Sequence, residues 1–198
     1  MGEILKMAKP ATQTLNAHDR ALDGARQVAI VIGASLLVAL CARVSVPLPF
    51  TPVPLTLQNF GVVLVGLMLG SRRGFAALVL YLAEGASGLP VFSPGGPGGT
   101  LQLFGLTGGF LLAYPFVAAL AGWILERGKT TFVRAATAGF LAEVLLFASG
   151  ICWLAAYTHS FAVAVRFGLY CFIFAEIIKI MFAAAIASGW RRFYKVKS

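Results

Sequence analysis

The sequence predicts an all-α membrane protein: six transmembrane helices, both termini cytoplasmic, and a Gly/Pro-rich outer loop. Three observations lead there. Hydrophobic residues make up 59% of the chain and charged residues 12%, where a soluble domain needs about 25% charged residues to face water. Several apolar runs exceed the roughly 18 residues that mark a transmembrane helix. The cations gather in short segments between those runs, the pattern that sets membrane orientation. The 198 residues read as a tail, residues 1–24, followed by one membrane domain, residues 25–198.

The tail is polar and mixed in charge. It lacks the apolar core and small-residue cleavage site of a signal peptide, and the expectation is a loosely ordered cytoplasmic segment. Six apolar segments follow, at residues 28–42, 57–69, 74–83, 106–125, 135–157 and 165–187. The second and third are short for a bilayer core of ~30 Å; neighbouring helices and loops can complete such crossings.

Orientation comes from the basic residues. Lys6, Lys9, Arg20 and Arg26 precede the first segment, and Arg72 and Arg73 follow the second. Arg127, Lys129 and Arg134 follow the fourth, and Arg191, Arg192, Lys195 and Lys197 follow the sixth. Only Arg43 and Arg166 fall at the opposite ends. Six crossings with both termini inside satisfy this arrangement. The formal charge of +9 is thereby accounted for without nucleic acid, for which no aromatic-basic stacking platform is present.

Two outer connections stand out. Residues 44–56, VSVPLPFTPVPLT, carry Pro47, Pro49, Pro52 and Pro54, which forbid a helix and favour extended backbone. Residues 85–105, GASGLPVFSPGGPGGTLQLFG, are rich in glycine and proline but also carry Leu89, Val91, Phe92, Leu101 and Phe104. A free linker would be more polar. This composition fits a loop folded back onto the protein, either as a packed hairpin or as backbone brought close to a ligand.

Several motifs fail on inspection. GKTT at residues 128–131 lacks the glycine a P-loop needs, since Trp123 stands there, and it follows a membrane helix instead of a strand. GASG at residues 85–88 resembles an intramembrane serine protease signature, with His159 as the conceivable partner of Ser87 and His18 away in the tail. The serine, however, closes a helix and does not open one. Cys41, Cys152 and Cys171 lie in apolar runs with no disulfide or metal spacing, and no HExxH site occurs.

The acidic residues within the apolar segments are Glu84, near an outer end, Glu143 and Glu176, the last accompanied by Lys179. The eleven Val, Leu, Ile and Phe residues of the sixth segment contribute about −3 to −7 kcal/mol to insertion, and a mid-helix Glu and Lys oppose this with about +5 to +7 kcal/mol. The polar pair must therefore face the bundle interior. Glu preceding Lys by three residues is a favourable pairing on one helix face, and Glu143 lies at a similar depth as a competitor for Lys179. Two readings follow: an ion pair tying helices together, or a polar site for a small solute that presents N–H and C=O groups side by side.

The chain resembles the BioY family, the biotin-specific substrate-binding (S) components of energy-coupling-factor transporters. The resemblance is carried by VPLPFTPVPLTLQ (residues 46–58), LGSRRGFAALVLYLAEGASGLPVFSPGGPGG (69–99), LTGGFL (106–111), FASGICWL (147–154) and AEIIK (175–179). It implies a bacterial cytoplasmic-membrane protein that captures biotin with high affinity and catalyses nothing, without metal or cofactor. The implied partners are a transmembrane coupling protein and two ATPases. An acid-x-x-lysine motif on the last helix binds the ureido ring in this family and maps onto Glu176 and Lys179; the family's Gly-Asp is Ala175-Glu176 here. The loop that closes over the ligand maps onto Gly88, Phe92, Gly95, Gly96, Gly98 and Gly99. The small-residue pattern that packs on the coupling protein maps onto Ser35 and Ala39, a spacing that permits close helix approach.

Overall fold

The computed structural model describes the backbone of residues 2–196 and the side chains of residues 20–190. The helices are α1 (Gly2–Arg43), α2 (Gln58–Leu69), α3 (Ser71–Ala86), α4 (Gly99–Leu103), α5 (Gly108–Glu126), α6 (Phe132–Thr158), α7 (Phe161–Val165) and α8 (Ile173–Val196). Among the described residues, four stretches are long and apolar enough to cross a membrane: residues 20–43, 108–126, 132–158 and 173–190. The helices α2 and α3 have 12 and 16 residues. The backbone of the tail is helical from Gly2, where loose order was expected. The side chains of Lys6, Lys9, His18 and the basic cluster after residue 190 lie outside the described residues.

At the centre, α5 packs against α2, α3 and α6, while α8 closes onto α2 and α6. Small residues allow this closeness, as membrane helices require. A methyl group on Gly66 would fall 2.3 Å from the carbonyl oxygen of Ala118, and one on Gly150 would fall 2.2 Å from the Phe110 ring. The outer shell stays apolar, with Leu40, Val133, Phe174 and Phe182 exposed.

The turn between α5 and α6 explains the GKTT sequence. Thr131 caps α6, its side chain accepting from the Arg134 N–H at 3.3 Å. The Arg134 guanidinium turns back to donate twice to the Ile124 carbonyl, at 3.0 and 2.8 Å, satisfying an end carbonyl of α5.

The proline-rich connection is extended, as expected. Its ends form a short antiparallel clasp, β1 (Ser45–Val46) on β2 (Leu55–Thr56), while Thr51 and Val53 are buried. The sixth apolar segment departs from the expected continuous helix. After α7 the chain makes a π-turn over Arg166–Tyr170 and then a turn at residues 171–172 before α8 begins. The Thr51 hydroxyl donates to the Phe167 carbonyl at 2.8 Å, so the proline loop satisfies backbone at this break. Glu176 consequently sits in the first turn of α8 and not at mid-helix.

Candidate functional site

Where α2, α5 and α8 meet, the polar side chains form one chain of contacts. Lys179 Nζ donates to Glu176 Oε1 at 2.7 Å and to the Thr56 carbonyl at 2.5 Å. Asn59 Nδ2 donates to the same Glu176 oxygen at 3.4 Å, and the Tyr114 hydroxyl donates to Asn59 Oδ1 at 3.0 Å. Lys179, Glu176 and Glu143 are all buried. The i,i+3 spacing and the side chains' own reach make the first contact; the clasp delivers the Thr56 carbonyl to the second.

Two features of this cluster point to chemistry. Glu176 Oε2 is buried and meets no donor among the described residues, and the same holds for both carboxylate oxygens of Glu143. Buried polar atoms are normally hydrogen-bonded. Glu176 is also one of the residues that line a recess of about 530 Å³, counted to its open mouth. The remaining wall joins polar groups on Thr56, Gln58, Asn59, Ser93, Gln102, Thr107 and Tyr114 to the apolar faces of Val53, Pro54, Phe110, Leu111, Phe147, Gly168 and Phe172. A largely apolar recess with a few placed polar groups is the usual form of a small-molecule site. Glu143 and Lys179 are not among the wall residues.

The sequence-predicted residues distribute unevenly around this recess. Glu176 lines it. Lys179 stands behind Glu176, with two of its three N–H donors engaged. The loop expected to fold back does so: Phe92, Ser93, Gln102 and Leu103 are buried. Phe92 packs edge-on to Tyr81 at 5.4 Å and fills the space above Gly85, so it anchors the loop and does not line the recess. Gly88, Gly98 and Gly99 adopt positive φ of 91°, 73° and 60°, conformations that favour glycine. Gly96 lies against the Gln102 amide, and Gly95 has open space beside it. These glycines shape the loop, whereas the loop residues on the recess wall are Ser93 and Gln102.

Gln102 knits that loop together. Its Nε2 donates to the Ser93 carbonyl at 3.3 Å and its Oε1 accepts from the Gly98 N–H at 3.1 Å. The Ser93 hydroxyl meets that of Ser45 at 3.0 Å, joining loop to clasp. The Tyr81 hydroxyl accepts from Gln58 at 2.9 Å and donates to the Val91 carbonyl at 3.0 Å, tying α2 and α3 to the loop.

Asn59, Gln102, Ser93, Thr107 and Tyr114 escaped the sequence reading. The usable signals were Gln58-Asn59 at the start of an apolar run, and Gln102 between two leucines. Elsewhere, Ser87 donates its hydroxyl to the Glu84 carbonyl at 2.7 Å, and His159 caps α6 in a left-handed conformation; no contact links them among the described residues. Ser35 is fully buried and donates to Glu84 Oε2, so it faces α3, while Ala39 is half-buried. No group of three or more metal-ligating side chains occurs among the described residues.

The chain is similar to several known proteins. The BioY family model matches residues 9–196. Biotin transporter BioY2 of Lactococcus lactis is 37% identical over 151 residues, covering 76% of this chain and 81% of that protein. A probable biotin transporter BioY of Pyrococcus horikoshii is 36% identical over 163 residues, covering 82% and 94%. Among solved structures, the S-component for biotin from an ECF-type ABC transporter superposes with a TM-score of 0.79 at 23% identity, covering 86% of this chain and 93% of that one.

Proposed function

The chain belongs to the BioY family, and from that premise we propose that it captures biotin in the recess beside Glu176 and serves as the membrane-embedded S component of an energy-coupling-factor transporter. It is a transport protein and not an enzyme. The observation that carries the site is the buried Glu176 carboxylate, held by Lys179 and Asn59 on one oxygen and without a donor on the other. A ureido ring offers N–H groups to such an oxygen, and a carboxylate acceptor makes that bond charge-assisted.

In this reading Lys179 has two tasks. It neutralises Glu176 and holds Oε1, which leaves Oε2 for the ligand; its third N–H reaches the ureido oxygen once a ligand is seated. The Phe110, Phe147 and Phe172 surfaces cover the apolar ring and chain of the vitamin, and the loop from Gly88 to Gly99 closes the outer side.

The membrane arrangement belongs to the same proposal. All six apolar segments cross the bilayer of a bacterial cytoplasmic membrane, with α2 and α3 completed by their flanking loops and both termini inside. The partners are a transmembrane coupling protein and ATPase subunits. Energy comes from those subunits, since GKTT serves as the Thr131 cap of α6. The coupling protein meets α1, where Leu36 and Leu40 are exposed and Ala39 is half-buried against the core. Uptake of labelled biotin by cells lacking their own transporter tests the whole: it is expected only when the chain is expressed. Biotin uptake no higher than in vector-only cells, with the chain present in the membrane beside its coupling subunits, contradicts it.

A further inference from the structure

The recess has two chemically different ends. Thr107, Phe110, Leu111 and Tyr114 follow one another along its wall, from the N-cap of α5 inward. Seven residue steps separate the first from the last, about 10 Å at 1.5 Å per residue. Tyr114 marks the inner end through its bond to Asn59, which reaches Glu176. Thr107 marks the outer end, with Gln102 of the short helix just before it and Ser93 bonded to Gln102. The inner end carries a carboxylate; the outer end carries hydroxyls and an amide.

Among the described residues, Glu176 is the one charged side chain in the recess wall. Lys179 stands behind it with two of its three donors spent on Glu176 and Thr56. Arg43 and Arg166, at the outer ends of their segments, are exposed and form no part of the wall. A carboxylate ligand tail seated at the outer end meets neutral donors there and a negative group further in. Neutral donors bond a carboxamide or ester carbonyl oxygen as well as an acid oxygen; the bond to a carboxylate is the stronger one, but burying an anion without a paired cation carries a desolvation cost that offsets it.

We infer that the outer end of the recess takes the ligand's tail through the neutral groups of Ser93, Gln102 and Thr107, so that tail-neutralised derivatives of biotin, its primary amide and its methyl ester, are ligands alongside the acid. This specificity rests on the reading of the recess as a biotin site. Recognition is concentrated in the ring, and the charge of the tail contributes little.

Competition binding with the purified full chain tests it. Biotin, biotinamide and biotin methyl ester are titrated against labelled biotin, with the wild-type chain and with Arg43→Gln and Arg166→Gln. The expected result is displacement by both neutral derivatives with a Kd within about tenfold of that of biotin, and the same ratio in both arginine variants. A larger loss on neutralising the tail overturns the inference, as does a ratio that changes in Arg43→Gln or Arg166→Gln, because either result reveals a cation reading the tail. Absence of biotin binding itself overturns both the inference and the site it rests on, and is distinguished by the biotin titration alone.

Discussion

Lys179 Nζ lies 2.7 Å from Glu176 Oε1, one turn along the same helix, and this contact is buried from solvent and lipid. Neither group is tolerable there alone. Removing one partner of a buried pair leaves an uncompensated charge, at a typical cost of about 3–5 kcal/mol, whereas replacing both by neutral groups is often nearly neutral. Lys179→Met is therefore expected to lower both the denaturation midpoint and biotin affinity. Adding Glu176→Gln to it is expected to restore much of the stability and none of the affinity. Denaturation in detergent and equilibrium binding, run on the single and double variants, separate the two roles; a double variant as unstable as Lys179→Met contradicts the pairing.

Asn59 bridges α5 to the carboxylate, accepting from Tyr114 and donating to Glu176. Asn59→Ala removes a bond to a charged acceptor, worth about 1.5–3 kcal/mol, so biotin affinity is expected to fall by about tenfold or more. Tyr114→Phe, one bond further away, is expected to cost less. A Tyr114→Phe defect exceeding that of Asn59→Ala in a binding titration contradicts the order of this relay.

Gly66 lets α2 and α5 touch backbone to backbone, since an added Cβ would fall 2.3 Å from the Ala118 carbonyl oxygen. Gly66→Ala forces the helices apart, at about 1–3 kcal/mol for an overpacked contact. A lower unfolding midpoint is expected, measured by thermal denaturation in detergent. An unchanged midpoint would show that the α2–α5 contact yields without cost.

Gln102 holds the outer loop through the Ser93 carbonyl and the Gly98 N–H. Gln102→Ala leaves both without that partner, and faster biotin dissociation is expected, by about 30-fold if each bond contributes about 1 kcal/mol. Stopped-flow chase of bound labelled biotin reads this directly; an unaltered off-rate would show that the loop is held by the Tyr81–Phe92 packing alone.

Part of this structure was legible in the residues because it follows from burial energetics. Glu176 and Lys179 stood out as charges in an apolar run, and the apolar residues of the glycine-rich loop predicted that it folds back. The Pro47–Pro54 stretch was legibly extended. Other features depend on contacts between distant residues. Nothing local announces that Thr56 presents its carbonyl to Lys179, 123 positions away, or that Thr51 fills the break at Phe167. The break itself, near Gly168, was hidden inside a continuous apolar run and shifts Glu176 from mid-helix to a helix start. Small residues four apart, Ser35 and Ala39, permit close helix approach, but spacing does not say to what. Ser35 turns out to meet Glu84 of α3. Asn59 and Tyr114 are ordinary polar residues until the fold aligns them with Glu176.

Equilibrium binding of biotin to the purified chain, compared with Glu176→Gln, tests the central claim most directly. The substitution keeps the shape of the side chain and removes the charge proposed to accept the ring's N–H groups. The account predicts saturable binding by the wild-type chain and a loss of about 30-fold or more in the variant, the scale of truncating a buried charged hydrogen bond. A Glu176→Gln chain that binds biotin as tightly as the wild type would contradict it.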